Sequence, residues 1–252
     1  PTRTLRELCA RGASLIVVDP RRTETARAAG EHVFLRPGTD VWFYAAFLNE
    51  LIAQGGVDRR AVEAHTRGFD ALAELVAPWT AERAAEVTKM PAETLRRMVT
   101  AYRTARPGAA LYCSTGVNMG GYGALAFWLQ EAINAVSGNL DRVGGVLVSR
   151  GVIDFAAFGK RTGTLLRDDR SRVGNHRSVN DAFPGGVLAD EILTPGPGQL
   201  RALFVTGGNP LITMANAGRL RDAFARLELL VTLDIYRNET GQLAHYVLPC
   251  TS

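Results

Sequence analysis

The sequence predicts an α/β protein made of two doubly wound, mainly parallel-sheet units with helices on both faces. Three observations carry this. The short, almost wholly apolar runs 15–18, 202–206 and 229–233 have the length and composition of strands buried on both faces. Helical patterns separate such runs, and strand–helix alternation implies parallel pairing. The alternation occurs twice, once towards each end of the chain, with an aperiodic stretch between.

The first unit is expected over residues 1–146. Leu15 to Val18 forms its first strand, Asp19 stands where that strand ends, Pro20 stops it, and Arg21 and Arg22 precede a short Ala-rich helix near 23–29. Ligands of open α/β sheets bind outside the carboxyl ends of the strands. An acid there can accept from a base or ribose, and cations can face phosphate; an ordinary strand-to-helix turn with solvated arginines accounts for the same residues. His32 to Leu35 is the second strand, and the turn Arg36-Pro37-Gly38-Thr39-Asp40 leads into a helix over 41–54 with Asp40 as its N-cap. That helix is apolar at Phe43, Phe47, Leu48, Leu51 and Ile52, and Gly55-Gly56 ends it. Residues 58–104 read as short helices broken by Gly68 and Pro78, then a longer one opened by Pro91, together a helical layer over the sheet. A third strand over 109–113 runs into a Gly-rich loop, 114–123, and a helix over 124–137. Free N–H groups at a helix start favour an anion. Phe127, Trp128, Ala132, Ile133 and Val136 of that helix are expected in the core.

The second unit is expected over 147–252. It opens with a long loop, 150–198, rich in Arg, Asp, Gly and Pro, a length that marks a functional or disordered segment. Ala202 to Thr206 is a strand followed at once by Gly207-Gly208-Asn209-Pro210. After a helix near 219–226, Leu229 to Leu233 is another buried strand, and Asp234 stands at its carboxyl end as Asp19 does at the first. A helical turn over 239–245 and the strand Tyr246 to Pro249 complete the unit.

With 46% hydrophobic and 21% charged residues, the chain has a folded composition. No apolar run approaches the roughly 18–20 residues that span a bilayer, so direct membrane insertion is not expected. The net charge of +4 is carried almost entirely by arginine, the only lysines being Lys89 and Lys160. Arginine suits phosphate and carboxylate recognition, while a GC-rich genome produces the same bias. No basic run is interleaved with aromatics, which argues against nucleic acid as a partner. Cys9, Cys113 and Cys250 are far apart and form no CxxC pair, so neither a disulfide framework nor a self-contained metal site is expected. The chain opens inside an amphipathic pattern and closes directly after a strand-like run, as a fragment would.

Five stretches in order, Val17-Val-Asp-Pro-Arg-Arg-Thr-Glu-Thr-Ala26, Arg36-Pro-Gly-Thr-Asp40, Gly116-Val-Asn-Met-Gly120, Thr206-Gly-Gly-Asn-Pro210 and Asp234-Ile-Tyr-Arg-Asn-Glu-Thr240 with Val247-Leu-Pro249, resemble the central part of molybdopterin oxidoreductases of the dimethyl-sulfoxide-reductase and formate-dehydrogenase type. The resemblance covers nearly the whole chain and implies the corresponding domains of that fold. It implies a molybdenum or tungsten ion held by a bis-molybdopterin guanine dinucleotide, each unit holding one dinucleotide. It also implies a small-molecule substrate and electron-transfer subunits as partners. Position by position, Asp19 and Arg21 match contacts to the first dinucleotide, and Gly38, Thr39 and Asp40 lie near its guanine and ribose. Thr115 and Met119 match positions lining the pterin; many relatives have Gln at the latter. Gly208, Asn209 and Asp234 match contacts to the other dinucleotide, and His245 stands where relatives usually have Asp. Arg150 matches the active-site arginine of formate dehydrogenases, where it would orient an anionic substrate, or it is a structural arginine at the domain junction. In the family the metal-ligating Cys or selenocysteine and the iron–sulfur cysteines lie upstream, and none of the three cysteines here matches them, so the segment by itself is expected to be inactive. A cofactor-less structural subunit of the same fold, of the respiratory complex I large-subunit type, is the alternative. A generic nucleotide-binding α/β protein fits less well, because neither half has GxGxxG or a P-loop.

Overall fold

The computed structural model describes residues 2–149, 151–163, 168–179 and 181–251. The chain divides into two units, Pro1–Ser149 and Arg150–Ser252, the first built round a helix and the second round a sheet. The first begins with α1 (Thr2–Ala10), β1 (Ile16–Val18), α2 (Glu24–Ala28) and β2 (Glu31–Val33). The strands pair in parallel, Ile16 opposite Glu31 and Val18 opposite Val33. Helix α2 is their crossover, capped by Thr23, whose hydroxyl accepts from the Ala26 N–H at 3.3 Å. β1 is half-buried along its length rather than sealed on both faces, because β2 is its one strand neighbour among the described residues.

Helix α3 (Asp40–Ala53) is what this unit folds around. Val41, Phe43, Tyr44, Ala45, Ala46, Phe47, Leu48 and Leu51 are all buried, the all-round apolar surface of a core helix. Then come α4 (Arg59–His65), α5 (Phe69–Val76), α6 (Ala81–Thr88), α7 (Ala92–Thr104), α8 (Thr115–Asn118) and α9 (Gly123–Val136). Helices α5, α6, α7 and α9 pack directly on α3, and α4 packs on α9. The helical layer expected over a sheet is instead a shell around one helix. Phe47, Leu48, Leu51, Leu95 and Ile133 are at most 2% exposed, and burying each such side chain contributes about 1.5–3 kcal/mol.

Two expectations change here for one reason. Residues 109–113 join no β-ladder, although their burial alternates as a strand's would, Ala110 and Tyr112 being exposed and Cys113 buried. Their backbone bonds to side-chain amides. The Ala109 N–H donates to Asn139 Oδ1 at 3.2 Å, and the Leu111 N–H donates to Asn134 Oδ1 at 3.1 Å. Because α9 turns Gln130 and Asn134 inward with Ala126, Leu129, Ile133 and Val136, its outer side carries Phe127 and Trp128, 39% and 51% exposed. Ile133 and Val136 lie in the core as expected, with Ala132 packed against it, while Phe127 and Trp128 do not. Gly123 opens α9 where a Cβ would lie 2.5 Å from the Asn118 carbonyl oxygen, so the close approach of α8 requires glycine.

The second unit contains α10 (Phe155–Thr162), a 3-10 turn at Gly185–Val187, α11 (Leu188–Leu193), β3 (Ala202–Thr206), α12 (Pro210–Thr213), α13 (Ala217–Phe224), β4 (Leu229–Asp234), α14 (Glu239–Leu243) and β5 (Tyr246–Pro249). The sheet order is β3-β4-β5, all parallel, with Ala202 opposite Leu229 and Asp234 opposite Pro249. Central β4 buries Leu230, Val231 and Thr232, and Ile192, Leu211, Leu220, Phe224, Leu227 and Leu230 form the core. The stretch 150–198, expected as loop, is partly helical. Asp154 caps α10 by accepting from the Ala157 N–H at 2.9 Å. Glu191 of α11 accepts from the Val173 N–H at 2.8 Å and from Arg172 Nε at 3.2 Å, while Arg172 also donates to the Glu191 and Thr194 carbonyls. Helices of eight and six residues are too short for a period to stand out.

Candidate functional site

In the first unit β1 delivers Asp19 to the sheet's carboxyl edge. Its N–H donates to the Val33 carbonyl at 3.1 Å, its own carbonyl accepts from His32 Nε2 at 3.0 Å, and its carboxylate Oδ1 accepts from the Arg21 N–H at 2.7 Å. The backbone thus folds back on the acid within two residues and leaves Arg21 and Arg22 exposed. β2 leads to the Arg36–Asp40 turn, anchored by the Arg36 N–H to the Thr88 carbonyl at 2.9 Å. Gly38 takes φ +74°, the left-handed conformation that glycine adopts without strain. The Thr39 hydroxyl donates back to the Arg36 carbonyl at 2.6 Å. Thr39, not Asp40, is the N-cap of α3; Asp40 is its first helical residue, an acid at the positive end of the helix dipole. Burial raises the Asp40 carboxyl above its ordinary pKa.

The Gly-rich segment comes to this turn. A Cβ on Gly120 would lie 3.5 Å from Gly38 Cα, and Trp42 meets Tyr122 edge-on with ring centroids 5.6 Å apart. Thr115 opens α8 and is exposed, and Met119 is 81% exposed. Behind them runs a buried polar line that the strand and helix patterns do not predict. The Cys113 thiol donates to Gln130 Oε1 at 3.3 Å, and Gln130 Nε2 donates to the Leu111 carbonyl. Burial pushes both the Tyr44 hydroxyl and the Cys113 thiol up, which keeps both protonated at neutral pH. The one sequence signal of this line is a pair of amides four residues apart, Gln130 and Asn134, inside an otherwise apolar helical pattern.

In the second unit the predicted residues gather at the carboxyl edge of β3, β4 and β5. Thr206, Gly207, Leu233, Asp234, Ile235 and Cys250 line a cleft of about 420 Å³ there. Asp234 Oδ1 accepts from the Tyr236 N–H at 3.1 Å, and Oδ2 accepts from Asn238 Nδ2 at 3.0 Å. Asn238 also donates to the Gly208 carbonyl at 3.4 Å, joining Gly208 to Asp234. Asn209 bonds away from Asp234. Its Oδ1 accepts from the Thr240 hydroxyl at 2.8 Å and its Nδ2 donates to Glu239. That amide ties the β3 turn to α14. His245 Nδ1 accepts from the Leu230 N–H at 2.9 Å, and the His245 backbone N–H donates to the Leu230 carbonyl at 2.9 Å. Arg150 lies outside the described residues. A second cleft, along α7, is lined by Arg96 and Arg97, which are ion-paired with Glu50 and Glu82 and with Glu31.

Both units are α/β, with parallel strands and an acid, Asp19 or Asp234, at the carboxyl edge, the place where open α/β sheets hold their ligands. The chain matches the molybdopterin oxidoreductase family model over residues 2–252, and it belongs to that family. It is 29% identical over 249 residues to Probable oxidoreductase YyaE of Bacillus subtilis, covering 97% of this chain and 35% of that protein. It is 28% identical over 250 residues to the F420-dependent formate dehydrogenase 2 subunit alpha of Methanococcus maripaludis, covering 94% and 36%. Among solved structures, acetylene hydratase from Pelobacter acetylenicus shares the fold with a TM-score of 0.77 at 23% identity, covering 98% of this chain and 38% of that one. The chain spans about a third of the length of these relatives. Family membership implies a molybdopterin cofactor with molybdenum or tungsten.

Proposed function

We propose that this chain is the central, dinucleotide-holding region of a molybdenum- or tungsten-dependent oxidoreductase, with one guanine dinucleotide of a bis-molybdopterin cofactor held in each unit. The observation that carries the reading is a repeated one. In both units an acid at the carboxyl end of a parallel strand accepts from the N–H two residues on, Asp19 from Arg21 and Asp234 from Tyr236. The donor set fits such a ligand: oriented carboxylates accept from ribose hydroxyls or a purine edge, and Arg21 and Arg22 face solvent where a pyrophosphate needs cations. Gly38 and Gly116 carry open space at their Cβ positions, room for a ligand against the backbone.

When bound, the metal of such a cofactor supplies redox or oxygen-atom chemistry. This chain's residues supply position. Asp19, Asp40 and Asp234 fix the nucleotide ends; Thr115 and Met119 present the Gly-rich loop to the pterin; Asn209 holds the Gly208 turn in place. Among the described residues no group of three or more His, Cys, Asp or Glu is placed to hold a metal. The same proposal gives the isolated chain no activity and assigns the full protein a small-molecule substrate, electron-transfer subunits and an iron–sulfur cluster from other segments. Arg150 is proposed to orient an anionic substrate.

The test is metal and nucleotide analysis of the full-length protein. One Mo or W and two guanine nucleotides per chain are expected. Asp40→Ala and Asp234→Ala should each lower nucleotide content with the fold retained, since a charge-assisted hydrogen bond contributes about 1.5–3 kcal/mol. A folded protein containing neither metal nor pterin would make this the cofactor-less structural subunit instead.

A further inference from the structure

The backbone of 109–113 leads directly into the Gly-rich loop, yet no strand holds it. Leu111 is bonded as a residue in a ladder would be: its N–H donates to Asn134 Oδ1 at 3.1 Å and its carbonyl accepts from Asn134 Nδ2 at 2.8 Å. One side-chain amide thus makes the paired exchange that a neighbouring strand residue makes. One turn earlier on α9, Gln130 donates to the same carbonyl and accepts from the Cys113 thiol. The loop that follows comes back to the Asp40 turn, where a Cβ on Gly120 would lie 3.5 Å from Gly38 Cα. Gln130 is 2% and Asn134 0% exposed. Burying two amides is unfavourable unless every polar atom is bonded, and here both are.

We propose that Gln130 and Asn134 are positioning residues of the cofactor site, fixing the loop from Ser114 to Gly121, and Thr115 with it, against the turn at Gly38–Asp40. The inference rests on the cofactor reading above. It gives α9 a role beyond packing: its buried amides set where the loop begins, and the close approach of Gly120 to Gly38 sets it against the turn that presents Asp40. Hydrogen bonds in such a line polarise one another, so removing Gln130 weakens both ends.

The test uses full-length protein with Gln130→Met, which keeps volume and removes both bonds, and with Asn134→Leu as a second variant. Hydrogen exchange of the 113–121 amides should become at least tenfold faster in each, with the amides of α3 unchanged. Pterin retained per chain should fall, and the charge-transfer absorption band of the fraction still loaded should shift, which a purely structural loss would leave in place. Gln130→Glu donates to the Leu111 carbonyl only when protonated, so lowering the pH should restore loop protection, taken as exchange relative to the intrinsic rate at each pH, in that variant alone. Unchanged loop exchange in both Gln130→Met and Asn134→Leu overturns the proposal, as does faster exchange with wild-type pterin content and an unshifted band. Wild-type protein without pterin removes the cofactor reading itself, and the proposal with it.

Discussion

At the scale of single residues, function and stability conflict most clearly at Asp40. Its carboxyl is raised by burial, so the charged form is less favourable in the fold than in the unfolded chain. The sign follows: stability is lost as pH rises through the raised pKa and recovered as pH falls. Asp40→Asn should therefore melt at a higher temperature than wild type at about pH 7, and the difference should close towards about pH 4. The same variant should hold less nucleotide. A melting advantage independent of pH would contradict burial of the charge as the cause. Thr232 lowers stability for a different reason: it is 1% exposed and its hydroxyl has no partner. Thr232→Val should stabilise the second unit by about 1 kcal/mol, read as a higher urea midpoint, because an unsatisfied buried hydroxyl costs about that much or more.

At the scale of elements, Arg172 and Glu191 decide whether the segment before α11 is ordered. Their side chains are 24% and 11% exposed, and Glu191 also caps the Val173 N–H. Glu191→Ala should cost about 2–3 kcal/mol, since it leaves Arg172 with an unpaired, partly buried charge. Exchange at 171–176 should speed up before that of β4, and exchange rising equally in both would show that the clasp is global. Elements were legible where the local signal was strong. Strands β3 and β5 lie where apolar runs placed them. The 109–113 segment was not, because a strand's composition does not disclose whether its partner is another strand or a row of amides on a helix. Of the site, the acids at strand ends and the Gly38 turn were readable from position alone. The ties from Asn238 to the Gly208 carbonyl and from Cys113 to Gln130 were not, since only tertiary structure brings those pairs together.

Across the whole molecule, the first unit has a helical core with α3 at its centre, and the second a three-stranded parallel sheet. The first unit also carries large apolar side chains on its surface: Tyr112, Met119, Tyr122 and Trp128 are all more than half exposed. Where such side chains form one contiguous patch, they bind partners, ligands or apolar probes. The isolated chain should accordingly bind a hydrophobic dye with enhanced fluorescence, and less dye should bind once cofactor is loaded if the Gly-rich loop is where the ligand lies. Equal dye binding with and without cofactor would place the exposed surface elsewhere.

The amide-held segment has a last consequence, for tolerance to mutation. In an ordinary strand, replacing one residue leaves its backbone bonds intact, because the partner strand supplies them whatever the side chains are. Here the information is displaced onto another element. A saturation scan should find Ala110 and Tyr112, which point outward, almost freely replaceable, while Gln130 and Asn134, further along the chain, accept almost nothing. The most permissive stretch beside the site and its least permissive pair would then be the two sides of one set of hydrogen bonds.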